Sequence, residues 1–219
     1  MFEAVIFDWD GTLADTRDVL VVSFRKALRS ISCEVSDELI VRRIGIGTIS
    51  TFKEILTEKG VSYDDALIQR LLQTKVQTEI ELSKQIPLFE GAQALLETLD
   101  GKIKVALASM NQREFINHIL KEKNIQKFFS VTLTANEVSK PKPDPEIFLK
   151  TAQQLKVAPE RCVVVEDSIF GVKAAKAANM GCVAVAQGAY SKKELSSAKP
   201  DLIVGSLREK AAMLGLILR

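Results

Sequence analysis

Six short apolar runs, separated by helical patterns, constrain the fold of this chain more than any other feature. Short runs rich in β-branched side chains are typical of strands buried on both faces of a sheet. The runs span residues 4–7, 103–107, 131–133, 162–165, 182–185 and 202–204. Apolar stripes with helical spacing lie between the later runs, and they begin at Ala92, Phe115, Ile147 and Val172. This alternation predicts an α/β fold with a doubly wound, parallel sheet and right-handed crossovers.

One long stretch between the first two runs breaks the alternation. It contains helical stripes that begin at Leu20 and Leu67 and a further helix around Phe52. A polar, glycine-containing break at 45–48 predicts a loop. A connection between neighbouring strands is usually far shorter than this. We therefore expect a helical domain at residues 15–85, inserted into a discontinuous α/β core of residues 1–14 and 86–219.

Charge and composition exclude several functional classes. The 30 Lys+Arg and 28 Asp+Glu residues are interspersed and leave a net charge of +2, which argues against nucleic acid or a polybasic membrane surface as partner. No apolar run approaches the roughly 18 residues of a membrane span, and acidic residues occupy the start of the chain, where a signal peptide would be basic and then apolar. We expect a cytoplasmic protein, a monomer or small homo-oligomer, whose three cysteines are buried hydrophobes.

Acidic and polar residues follow the predicted strands at the points where these end. They are Asp8-Trp9-Asp10-Gly11-Thr12, Ser109-Met110-Asn111, Lys140-Pro141 in the loop after the third strand, and Glu166-Asp167-Ser168. Ligands of doubly wound sheets bind beyond the carboxyl ends of the strands, so these groups should converge in one crevice. Four carboxylates in a small crevice repel one another by several kcal/mol. The pattern therefore predicts a bound cation, and oxygen ligands that leave room for water and phosphate favour Mg²⁺.

The spacing of Asp8 and Asp10 indicates two carboxylates with different roles. Gly11 lets the chain turn directly after them. One carboxylate can then face the metal and the substrate while the other stands about a turn's width away. This arrangement suits nucleophilic catalysis combined with general acid/base catalysis.

The order of these motifs resembles the haloacid dehalogenase-like hydrolase superfamily. The residues that carry the resemblance are Asp8-Trp9-Asp10-Gly11-Thr12-Leu13, Ser109, Lys140-Pro141-Lys142-Pro143-Asp144 and Val165-Glu166-Asp167-Ser168. The helical stretch after the first motif is similar to the cap of its phosphoglycolate phosphatase and β-phosphoglucomutase subgroup. The resemblance implies a Rossmann-like core with an inserted helical cap, and a Mg²⁺-dependent phosphatase that acts on a small phosphorylated metabolite.

The resemblance also implies a role for each residue. Asp8 would form an aspartyl-phosphate and Asp10 would protonate the leaving alcohol and later activate water. Mg²⁺ would be held by Asp8, the Asp10 main-chain carbonyl and Asp167, with Glu166 either a ligand or a residue that orients one. Ser109 and Lys140 would hold the phosphoryl oxygens, and Met110 and Asn111 would face the substrate. The spacing to Pro143-Asp144 selects Lys140, so we expect Lys142 to face solvent.

Two alternatives to hydrolysis stay open. One is a phosphosugar mutase, although Leu20 stands where the mutase subgroup presents a histidine, and His118, the single histidine, lies on a predicted core helix. The other is a non-catalytic phosphate-binding or regulatory protein, although the Asp8-x-Asp10 spacing and the helical insert disfavour a receiver module. Arg43, at a predicted helix end, is a candidate clamp for an anionic substrate.

Overall fold

A computed structural model describes residues 1–218 and contains a six-stranded parallel sheet. The strands are β1 (Ala4–Phe7), β2 (Lys104–Ala108), β3 (Val131–Leu133), β4 (Cys162–Glu166), β5 (Gly181–Val185) and β6 (Leu202–Val204). Their order is β3-β2-β1-β4-β5-β6, and β1 pairs in parallel with both β2 and β4. The doubly wound α/β fold is confirmed, and every predicted strand lies within one residue of an observed one.

The central strands are apolar throughout because both faces of the sheet are covered. In β1, Val5 and Phe7 join one hydrophobic cluster, while Ala4 and Ile6 join a second cluster on the opposite face. All four residues are fully buried. This double burial explains why the strands carry continuous apolar runs rather than an alternation of polar and apolar residues.

Ten α-helices surround and extend the sheet within residues 1–218. They are α1 (Arg17–Arg29), α2 (Asp37–Val41), α3 (Thr48–Glu58), α4 (Asp65–Leu82), α5 (Ala92–Leu99), α6 (Arg113–Glu122), α7 (Glu146–Leu155), α8 (Ile169–Ala177), α9 (Lys192–Ser196) and α10 (Lys210–Ile217). Sequence periodicity did not predict α2, α9 and α10. The first two have only five residues each, too few to show a stripe, and α9 starts at a capping box formed by Ser191 and Glu194. None of the helices in this range combines the length and apolar character needed to cross a membrane.

Helices α1 to α4 follow β1 and enclose a hydrophobic cluster of their own. Phe24 of α1 packs on Phe52 of α3, with ring centroids 4.9 Å apart. The predicted break at 45–48 is a turn that leads into α3, and Gly47 there has a φ of +94°, which favours glycine. These helices place the turn and α4 over the carboxyl end of the sheet, where both line the cavity described below.

Candidate active site

The carboxyl ends of the three central strands form a crevice that contains most of the predicted site residues. Asp8 directly follows β1, Ser109 follows β2, and Glu166 is the last residue of β4. The register aligns Phe7 with Leu107 and Val165, so these residues emerge side by side. The side chains of Asp8, Ser109, Glu166 and Asp167 are almost fully buried.

A buried lysine lies at the centre of the crevice, and it is Lys142. Its ammonium group donates to Asp8 Oδ1 and to Glu166 Oε1, each at 2.7 Å. The side chain is 0% exposed, so the expectation that Lys142 faces solvent is wrong. Burial alone would lower the pKa of Lys142, but the charges of Asp8 and Glu166 outweigh it and hold the pKa above its ordinary value.

Lys140, the lysine that we expected in the site, points away from it. Its side chain is 71% exposed and reaches only Asp144, at 3.7 Å. A turn closed by the hydrogen bond from Asp144 N–H to the Pro141 carbonyl contains Lys142 and directs its side chain inward, while Lys140 lies just before the turn. Two buried carboxylates then hold the ammonium that reaches them. Spacing in the sequence could not choose between the lysines, because it does not show which of them the turn directs towards the core.

Three buried carboxylates of the crevice lie close enough together to form a candidate cation site. One oxygen from each of Asp8, Glu166 and Asp167 lies within 4.8 Å of the others. Both oxygens of Glu166 accept hydrogen bonds from the protein. Lys142 donates to Oε1, and the backbone N–H and the hydroxyl of Ser168 donate to Oε2. Asp167 Oδ1 accepts from Thr12, and among residues 1–218 no donor bonds the second oxygen of Asp167 or of Asp8. The unbonded oxygen of Asp167 fits a hard divalent cation. The unbonded oxygen of Asp8 stays available to a substrate.

Glycine at position 11 lets the chain pass close to Asp167. Gly11 has a φ of +73°, and a Cβ at this position would clash with the Asp167 carboxylate. The turn therefore brings the backbone that follows Asp10 against Asp167. The Asp10 main-chain carbonyl belongs to this segment, which suits its predicted role as a ligand of the cation.

Burial changes the acidity of the crevice carboxyls. It raises the pKa of Asp8 well above its ordinary value, although Lys142 opposes the rise. It also raises the pKa of Asp167, and the neighbouring charge of Glu166 adds to the rise. These carboxyls resist ionisation together, so a divalent cation between them would favour their charged forms.

Asp10 is held by a polar chain that sequence reasoning only partly found. Asn111 donates from Nδ2 to Asp10 Oδ2 at 2.7 Å, and Asn111 Oδ1 accepts from Lys75 Nζ at 2.7 Å. Lys75 forms a buried ion pair with Glu79 at 2.5 Å, one turn along α4. Burial raises the pKa of Asp10 while Lys75 opposes the rise, and within residues 1–218 Asp10 Oδ1 has no hydrogen-bond partner. Asp10 thus has one oxygen positioned and one oxygen free.

Lys75 and Glu79 were missed, although the sequence carried a signal. Both are fully or almost fully buried on the same stripe as Ile68, Leu71 and Val76. A lysine and a glutamate four residues apart within an apolar stripe contradict the pattern of a solvent-exposed charged pair. Such a pair is buried only where other groups compensate its charge.

A small, partly open cavity lies between the carboxylates of Asp8 and Asp10 and the helices α1 to α4. It measures about 20 Å³, room for about one water molecule. Its walls include Asp8, Asp10, Leu20, Phe24, Arg43, Thr48, Lys75, Met110 and Asn111. A second cavity of about 120 Å³ adjoins it and shares Gly47, Thr48 and Met110. Both Met110 and Asn111 therefore line the cavity.

Three further candidates have ordinary roles in this structure. Arg43 touches the cavity, but its guanidinium group binds Glu54 and Glu58 at 3.0 and 2.7 Å. His118 bonds Ser83 at 3.0 Å and does not line either cavity. The three cysteines are buried and free, as predicted.

Known proteins are similar to this chain in both sequence and fold. A family model described as "haloacid dehalogenase-like hydrolase" matches residues 5–185. A phosphorylated carbohydrates phosphatase of Thermotoga maritima is 35% identical over 81% of this chain and 82% of that protein. A β-phosphoglucomutase of Bacillus subtilis is 32% identical over 85% of this chain and 84% of that protein. The crystal structure of a hydrolase from Pseudomonas syringae superposes with a TM-score of 0.90, at 29% identity, over 98% of this chain and 99% of that chain.

The family match covers most of the sheet and the whole of the crevice. It includes Asp8, Asp10, Ser109, Lys142, Glu166 and Asp167. With the shared fold and the named phosphatase among its relatives, it supports an enzyme that acts on phosphate esters. The chain therefore belongs to the haloacid dehalogenase-like hydrolase family.

Proposed function

We propose that the protein is a Mg²⁺-dependent phosphatase that hydrolyses a small phosphomonoester through a phosphorylated Asp8. The observation that carries this proposal is the pairing of two unlike carboxylates at one cavity. Asp8 is fixed by Lys142, while Asp10 keeps a buried oxygen that has no partner in the described part of the chain. The helical cap that closes the cavity is assigned to residues 15–85, and the core to 1–14 and 86–219.

Asp8 is the proposed nucleophile because its Oδ2 carries no hydrogen bond from residues 1–218. Attack of this oxygen on phosphorus forms the aspartyl-phosphate and breaks the bond to the leaving oxygen. Lys142 and the Ser109 hydroxyl neutralise and orient the phosphoryl oxygens as charge develops. Asp10 Oδ1 gives a proton to the departing alcohol and later takes one from the attacking water. The raised pKa of Asp10 helps it carry the proton that the first step requires.

Asp8, Asp167 and the Asp10 main-chain carbonyl would hold the Mg²⁺. When bound, the cation supplies charge neutralisation between the phosphate and the carboxylates. Glu166 is assigned to Lys142 and Ser168 rather than to the cation, because both of its oxygens are already bonded. Of the two roles that the sequence left open, we propose the orienting role for Glu166.

A mutase is the second candidate, because one relative is a β-phosphoglucomutase. A mutase must hold a second phosphate in the same cavity. Among the charged side chains that line the two cavities, the cations are Arg43 and Lys75, and both are paired with carboxylates. Leu20 also lines the cavity where the mutase subgroup would place its histidine. These features favour hydrolysis.

Phosphate release from p-nitrophenyl phosphate tests the proposal. We expect turnover with Mg²⁺ and none with EDTA, and we expect Asp8→Asn to abolish turnover while the protein stays folded. Asp100→Asn, which changes an exposed carboxylate at the end of α5, is the matched control and should be fully active. Activity in Asp8→Asn would overturn the assignment. Glucose 1-phosphate with a trace of the bisphosphate separates the mutase, which makes glucose 6-phosphate, from the phosphatase, which releases phosphate.

A further inference from the structure

We infer that this site selects substrates whose leaving group is uncharged, and that Glu79 enforces this selection. The inference rests on the proposed function and names the substrate class more closely. It starts from the charges of the cavity walls. A leaving group departing from Asp8 first meets the two adjoining cavities, so the groups that line them influence which charge it can carry.

Arg43 offers no charge to a ligand in the cavity. Its Nε and Nη2 bind Glu54 and Glu58, and its Nη1 donates to the Leu39 carbonyl at 2.9 Å. All three nitrogens of the guanidinium group are therefore engaged by α2 and α3. Two carboxylates therefore compensate its single positive charge.

Lys75 is the other cation of the cavity wall, and Glu79 balances its charge. Both side chains are almost completely buried, at 0% and 1% exposed, and their charged atoms lie 2.5 Å apart. Among residues 1–218 no other donor bonds the Glu79 carboxylate, so Lys75 is its ion-pair partner. The pair presents to the cavity an ammonium group that can donate a hydrogen bond but carries almost no net charge with its partner.

The adjoining cavity contains no charged side chain among its described lining residues. Its polar groups are hydroxyls and an amide, from Thr48, Ser50, Gln112 and Ser139, and its other walls include Ile46, Met110 and Val138. Hydroxyl groups of a substrate would find partners there. A carboxylate or a second phosphate would lose part of its hydration there without an uncompensated cation to replace it, which is unfavourable.

A matched pair of substrates tests the inference. Phosphoglycolate and 2-hydroxyethyl phosphate have the same chain length and differ in a carboxylate or a hydroxymethyl group. We expect the wild-type kcat/KM to favour 2-hydroxyethyl phosphate by at least about tenfold. In Glu79→Gln, Lys75 loses its ion-pair partner, and we expect this preference to fall by about tenfold or to reverse.

Glu81→Gln is the control variant. Glu81 lies on the same helix, is exposed and pairs with Lys26 outside the cavity, so the substrate preference should stay as in the wild type. A wild-type preference for phosphoglycolate would overturn the inference without any variant, which covers the case that Glu79→Gln does not fold. A folded and active Glu79→Gln protein with an unchanged preference would also overturn it. Absence of turnover with either substrate and with p-nitrophenyl phosphate would instead refute the proposed phosphatase, and the inference with it.

Discussion

Replacing Lys142 with methionine should remove activity and destabilise the protein, because this lysine is the single cation between two buried carboxylates. Each of its contacts, to Asp8 and to Glu166, is 2.7 Å long. At an effective dielectric constant of about 20, each contact is a gross attraction of about 6 kcal/mol. Desolvation of the three charges offsets most of this attraction. Loss of one partner from a buried ion pair still costs about 3–5 kcal/mol, because the remaining charges stay buried.

The catalytic effect of the same substitution should be comparable to the loss of a charged group that stabilises a transition state. We expect kcat/KM for p-nitrophenyl phosphate to fall at least about 10²–10³-fold. Urea unfolding followed by circular dichroism gives the change in the free energy of unfolding. Lys140→Met is the matched control, since that side chain is exposed, and both quantities should stay close to the wild-type values.

The double variant Lys142→Met with Glu166→Gln is a further control. It removes one of the two unpaired carboxylates and should recover part of the lost stability without recovering activity. Wild-type activity in Lys142→Met, or an equal loss in Lys140→Met, would refute the assignment of the buried lysine.

Three further predictions concern acidic residues of the site. In Asp10→Asn, turnover of an alkyl phosphate should fall about 10²–10⁴-fold but that of p-nitrophenyl phosphate much less, because nitrophenolate leaves without a proton; equal losses would contradict the acid role. In Asp167→Asn, the Mg²⁺ concentration for half-maximal activity should rise at least about tenfold, and an unchanged requirement would remove Asp167 from the metal site. Burial raises the pKa of Glu79 to about 7, with Lys75 and Asp10 as the charged groups that act on it. Protonation of Glu79 below that pH leaves Lys75 uncompensated, so the kcat/KM ratio of phosphoglycolate to 2-hydroxyethyl phosphate should rise from about pH 8 to about pH 6. The second phosphate ionisation affects both esters and largely cancels in the ratio, which should stay flat in Glu79→Gln.

The sequence was sufficient for the sheet because its strands are buried on both faces and carry apolar runs. The same principle placed Asp8, Ser109 and Glu166 at one edge, since the carboxyl ends of parallel strands meet there. The lysine of the site was beyond this reasoning. Lys140 and Lys142 lie in a loop, and the direction of a loop side chain depends on a turn, here the one between Pro141 and Asp144.

The Lys75–Glu79 pair shows a second limit of what can be predicted from the sequence. Helical periodicity predicts which residues face an interior, and it places both of these there. It cannot say that the facing surface is polar, because Asn111 comes from a distant part of the chain. The contact between α4 and the segment after β2 exists only in the folded protein. In the sequence, the α4 stripe with its two charged residues therefore resembles an apolar stripe with two interruptions.

The central position of β1 has a consequence for biosynthesis. Its partners β2 and β4 begin at Lys104 and Cys162, so a growing chain must be extended by about a hundred residues before β1 can pair. At roughly 5–20 residues per second, this delay is on the order of 5–20 seconds. Helices α1 to α4 emerge in that interval and have their own hydrophobic cluster. We therefore expect the helical segment to become compact on the ribosome first. The apolar strand β1 stays unpaired during that time, and we expect it to be a binding site for a chaperone.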